Sequence, residues 1–133
     1  MPYLIGLILA IAVSLFALLT RFDRDRAFYS TVVIVVAHYY ILFAAMGATA
    51  HVLLAECLGA AAFIALAVIG FKTSQWITAA ALAGHGIYDF LHHLIIQDPG
   101  VPVWWPAFCM SFDVLAGAIL AMLLLRRVTP SLS

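Results

Sequence analysis

Five apolar runs of about twenty residues, parted only by short polar or turn-forming segments, take up nearly the whole chain and leave few architectures open to it. A helix rises ~1.5 Å per residue, so each run is long enough to span the ~30 Å hydrocarbon core of a bilayer. The runs are Pro2 to Thr20, Phe28 to Ala48, His51 to Phe71, Ser74 to Ile96 and Val103 to Leu125. Only Gly47 to His51 offers a turn between the second and third, yet Phe28 to Phe71 is too long for one crossing. With 67% hydrophobic and 9% charged residues, the composition lies outside the range of soluble globular domains. The predicted fold is all-α: a polytopic integral membrane bundle of five transmembrane helices (spans about 2–20, 28–48, 51–71, 74–96 and 103–125) in a single domain over 1–133.

The basic residues orient this bundle. Arg21, Arg24 and Arg26 fall between the first two spans, Lys72 between the third and fourth, and Arg126 and Arg127 after the fifth, so five crossings bring all six to one side. The positive-inside rule makes that side cytoplasmic, with the N-terminus outside and the C-terminus inside. Trp76, Trp104 and Trp105 stand near span ends, where indole rings anchor to the interface. The first run is expected to be a span and not a signal peptide, because no Lys or Arg precedes it and no small-x-small site ends it. Zero formal charge excludes an electrostatic footprint for nucleic acid, and two cysteines, Cys57 and Cys109, are too few for a disulfide framework. Small residues at 59–62, 79–86 and 116–121 suit close helix packing, and some of that surface suits a homo-oligomer.

Against this background the segment Gly84-His-Gly-Ile-Tyr-Asp-Phe-Leu-His-His is conspicuous. On a helix turning ~100° per residue, His85, Asp89 and His92 share one face, with His93 close beside them. An aspartate at a helix centre costs roughly 2.5–3.5 kcal/mol to insert, so an intramembrane ionisable face is by default a functional one. Counting from the span ends places His92 and His93 ~5 Å deep, Glu56 ~8 Å, Asp89 ~10 Å, and His38, His85 and Asp113 ~15 Å. Groups from four spans thus lie in one layer, in the outer half or at the midplane.

Such a layer can be satisfied by a metal, by shared protons or by structural hydrogen bonds. A metal fits the spacing: His85 and Asp89, and Asp89 and His93, are each four apart, placing two ligands one turn apart toward a single ion. The candidate ligands are His38, Glu56, His85, Asp89, His92, His93 and Asp113, with Glu56, Asp89 and Asp113 the candidate catalytic groups. Mixed imidazole and carboxylate ligation suits Zn, Fe or Mn. His38 and His85, at similar depth on parallel spans, make b-type haem an alternative. Adjacent residues diverge by ~100°, so either His92 or His93 faces outward. His51 is expected at the interface, Cys57 and Cys109 as ordinary buried thiols, and Tyr39, Tyr40 and Tyr88 as packing residues.

The segment from Gly84 to His93, with Trp104-Trp-Pro-Ala-Phe-Cys-Met-Ser-Phe-Asp113, resembles a family of small multi-pass bacterial membrane proteins, over roughly the last third of the chain. That resemblance implies the bacterial cytoplasmic (inner) membrane and no mechanism. The Asp-x-x-His-His string is similar to one histidine box of membrane desaturases, but five histidines cannot fill the three boxes of that family. The expected function is a metal-dependent or acid-base enzyme acting on a lipophilic small molecule from the bilayer, with a proton- or metal-ion-coupled transporter as the alternative. The Gln97 to Pro106 connection, with its three prolines, forms a stiff segment over the polar layer.

Overall fold

The structure, a computed structural model, describes residues 1–128. Five α-helices follow one another: α1 Pro2–Thr20, α2 Arg26–Gly47, α3 Ala50–Lys72, α4 Gln75–Ile95 and α5 Trp105–Val128, with a 3-10 turn at Phe22–Arg24. Helix α1 coincides with its predicted run, the limits of the other four depart from theirs by one to three residues, and local chemistry accounts for several of the differences. Helix α2 starts at Arg26 because the Asp25 carboxylate accepts a hydrogen bond from the Ala27 amide at 2.9 Å. Thr49 and Ser74 cap α3 and α4 in the same way. Arg21 ends α1 in the left-handed conformation, with φ 62°. Helix α5 begins at Trp105 with Pro106 in its first turn, where the missing amide hydrogen costs nothing.

Helices α1, α2, α3 and α5 are each long and apolar enough to cross a membrane. Helix α4 falls short on apolarity, since the sequence spends its positions on three histidines, an aspartate, a glutamine and small residues. Its polar positions other than His93 are enclosed by the other helices. It packs on α5 most extensively, then on α3 and α2, and it buries nine of its 21 residues where α3 buries four of 23. The helix that misses the apolarity of a span is therefore the one packed against three others. Helix α1 is held mainly by α5, and α2 by α3. Outward faces carry large apolar side chains, among them Leu4, Ile8, Leu15 and Leu58, a surface matched to lipid and not to water.

Small residues set the spacing at the centre. A Cβ on Gly86 would stand 2.7 Å from Val114 Cγ2 and 3.0 Å from the Met110 carbonyl of α5. One on Gly117 would stand 2.9 Å from the Ala79 carbonyl of α4. With little hydrophobic drive between helices in lipid, such backbone approach is what gives α4 and α5 their contact.

The six basic residues lie at one end of the bundle, with the 3-10 turn, the α3–α4 junction and the end of α5. Arg127 ties these together: its Nη2 donates to the Asp23 carboxylate at 2.9 Å and to the Asp23 carbonyl at 2.8 Å, and its Nη1 reaches Gln75 Oε1 at 3.5 Å. Arg26 Nη2 donates to the Thr73 carbonyl at 2.8 Å. At the other end Trp105 is buried among Tyr39, Phe43 and Phe108, while Trp104 is half exposed. Only Trp104 of that pair is thus placed as an interfacial anchor. Gly100 lets the α4–α5 connection lie directly against the Phe43 carbonyl, and a Cβ there would collide with it.

Candidate metal centre

One turn of α4 presents His85 and Asp89 toward α5, whose own i, i+4 pair, Cys109 and Asp113, faces back. The four side chains are buried, and one ligand atom from each lies within 4.8 Å of all the others. His85 Nδ1 is 2.6 Å from Asp113 Oδ2 and 3.4 Å from Asp89 Oδ2. The Cys109 thiol donates to Asp113 Oδ2 at 3.6 Å. From α2, the Tyr40 hydroxyl donates to Asp89 Oδ1 at 2.6 Å. Phe63 of α3 closes one side, edge-on to the His85 ring at 4.7 Å.

Two oxygens in this group have no hydrogen-bond partner: Asp89 Oδ2 and Asp113 Oδ1. A buried polar atom left unpaired costs about 1–3 kcal/mol, and more where it carries charge. An N, S and two-carboxylate donor set with two unpaired buried oxygens fits a metal ion, which would bond to the atoms that protein donors leave bare. This group can hold one.

A second polar group lies beside the first. His92 Nε2 is 2.6 Å from Glu56 Oε1, both buried, and the Tyr88 hydroxyl stands 3.5 Å from Glu56 Oε2. Tyr40 joins the two groups, since its ring stacks on that of His92 at 4.0 Å and 12° while its hydroxyl binds Asp89. Glu56 and His92, expected as ligands, are thus paired with each other next to the four-residue group.

The remaining two expected ligands are not brought to the site. His38 is exposed on the outer face of α2, its Nδ1 bound to the Ile34 carbonyl of its own helix at 2.6 Å. His93 is exposed as well, so of the adjacent pair His92 faces in. With His38 on the outside and His85 at the centre, the two imidazoles do not face a common space for haem. Cys109 and Tyr40, in contrast, belong to the site although the sequence marks them as a buried thiol and a packing ring. The only sign of the first in the sequence is its one-turn spacing from Asp113, and the second carries none. Cys57 is half-buried and is not part of the four-residue group.

Comparison with protein-family models, with curated proteins and with solved structures gave no match.

Proposed function

We propose that this protein is an integral membrane enzyme that crosses the bilayer five times, with its N-terminus outside and its C-terminus cytoplasmic, and uses a divalent metal held by His85, Asp89, Cys109 and Asp113 on a lipophilic substrate. One observation carries the metal: Asp89 Oδ2 and Asp113 Oδ1 are buried without a hydrogen-bond partner inside a group that already supplies nitrogen and sulfur. The crossing by α4 is supported by its length, ~31 Å for 21 residues, and by the three helices packed around it. The orientation rests on the six basic residues gathered at one end. A thiolate beside an imidazole and two carboxylates favours zinc over manganese.

When bound, the ion supplies Lewis acidity in a site closed to bulk water. The chain's own residues do the rest. Tyr40 fixes Asp89 by donating to Oδ1 and so leaves Oδ2 directed to the centre. The Glu56 and His92 couple can hold one proton between Oε1 and Nε2, close enough through Tyr40 to act as the acid-base partner. The buried histidines, with Glu56, Asp89 and Asp113, lie away from the Arg127 end, which favours a closed site over a through-pathway.

Metal analysis of protein purified in detergent tests this. Wild type is expected to carry about one equivalent, and His85→Ala, Asp89→Asn, Asp113→Asn and Cys109→Ser to lose it. Wild type that takes up no metal when offered zinc, iron or manganese overturns the proposal. That outcome would favour the acid-base alternative, which the 2.6 Å contact of His85 with Asp113 supports by itself as a proton-sharing pair.

A further inference from the structure

A groove of about 480 Å³ runs between α1, α2 and α5, on the side of α5 away from the main α4 contact. Its walls are Leu9 and Val13 of α1, Val32 and Val35 of α2, and Phe108 and Phe112 of α5. It also reaches Cys109, a member of the four-residue group, so the groove and the candidate metal centre share a residue. A volume of this size with a nearly all-apolar lining and a few polar groups is typical of a small-molecule site.

Length and charge identify the occupant. Along α2 the lining runs from Ala27 to Tyr39, ~18 Å of helix, against the ~15 Å of one leaflet of a ~30 Å hydrocarbon core. At the Phe28 end the groove opens beside the 3-10 turn, where Phe22 and Asp25 line it. The two acids of that turn are engaged: Asp23 with Arg127, and Asp25 with the Ala27 amide. Asp25 keeps its negative charge, but the exposed Arg21, Arg24 and Arg26 of the same stretch outnumber it, so the region beside the mouth of the groove is net positive. At the far end Trp105 is buried with an indole N–H that has no partner.

We propose that the groove binds one acyl chain of an anionic glycerolipid from the leaflet on the side of the 3-10 turn, with its headgroup at Arg21 and Arg24 and the chain running to Cys109. This deepens the reading of a membrane enzyme with a lipophilic substrate and rests on it. It implies that the candidate centre meets the hydrocarbon chain of such a lipid and not its headgroup. Basic residues at a membrane surface attract anionic headgroups, and each of the two arginines contributes about a fivefold preference.

Photolabelling of the whole protein in phosphatidylcholine nanodiscs tests the proposal. The discs carry a trace of phosphatidylglycerol or of phosphatidylcholine with a diazirine midway along one acyl chain, and labelled residues are mapped by mass spectrometry. The phosphatidylglycerol probe is expected to label groove residues several-fold more densely than Leu58 and Val68 on the outer face of α3, and at least fivefold more than the phosphatidylcholine probe does. Arg21→Gln with Arg24→Gln should erase the difference between probes. Leu9→Trp and Val35→Trp, at half-exposed lining positions where a larger ring needs no core rearrangement, should abolish groove labelling, whereas Val68→Trp should not. Label spread evenly over the outer surface, or equal groove labelling by both probes, overturns the proposal. Metal content of the same samples, offered zinc, iron and manganese, separates the two readings: diffuse label on metal-loaded protein removes only the lipid groove, and groove label on protein that takes up none of the three removes only the metal.

Discussion

Asp89 illustrates what one side chain is asked to do in this bundle. Its Oδ1 accepts from Tyr40 and its Oδ2 has no hydrogen-bond donor, although His85 Nδ1 stands 3.4 Å away. Partners of metal ligands hold the ligand's orientation, and their loss commonly lowers metal affinity 10–100-fold. Tyr40→Phe is therefore expected to keep the stoichiometry of one but weaken affinity by that factor, as read by competition with a chromophoric chelator. His93→Ala is expected to leave both unchanged, while His85→Ala abolishes binding, and a titration of the three variants side by side checks this. At this scale the sequence is legible in part. His85, Asp89 and Asp113 are marked by the cost of burying them, and the structure gathers them. His38 and His93 carry the same mark yet lie outside, because depth along a span is countable from sequence whereas direction around it depends on where the neighbours stand.

Helix α4, the one of the five that is not apolar enough to cross a membrane by composition, is largely enclosed by the other helices. Its Gly84-His-Gly86 sequence gives two glycines with opposite surroundings. Nothing lies within 4 Å of a Cβ placed on Gly84, whereas one on Gly86 meets Val114 and the Met110 carbonyl. Gly84→Ala is expected to stabilise by about 0.5–1 kcal/mol through helix propensity. Gly86→Ala should destabilise by about 1–3 kcal/mol by pushing α5 away. Unfolding in detergent should show the opposite signs, and the Gly86 variant should also bind metal more weakly because α4 and α5 each supply half of the donor set. The existence of the five helices was readable from the apolar runs, whereas the starts at Arg26 and Ala50 are set by the caps Asp25 and Thr49, which lie outside those runs. That α4 packs chiefly on α5 was not readable, since the small residues that permit it occur on α3 as well.

The whole molecule is fastened at one end by Arg127, which joins the end of α5 to the 3-10 turn and reaches the start of α4. Removing it leaves the buried Asp23 carboxylate without its donor, so Arg127→Ala is expected to cost about 1–3 kcal/mol in thermal or denaturant unfolding. If the centre holds a metal, ligand binding to the folded state must raise stability: at a hundredfold excess of free ion over the dissociation constant the gain is ~2.7 kcal/mol. Zinc should accordingly raise the melting temperature of wild type measured by scanning fluorimetry, chelation should reverse it, and Asp113→Asn should not respond. The apolar run lengths alone determined that the chain forms long helices, because backbone polar groups in lipid must be satisfied within each segment and a helix does so locally. The burial cost of carboxylates likewise marked which residues to watch. Only the tertiary structure decided that Cys109 and Tyr40 join His85, Asp89 and Asp113, that Glu56 pairs with His92, and that an apolar groove reaches Cys109. Those outcomes depend on the rotation and tilt of each helix against its neighbours, set by packing among many near-equivalent small and apolar residues, and one residue's spacing along its own helix does not encode them.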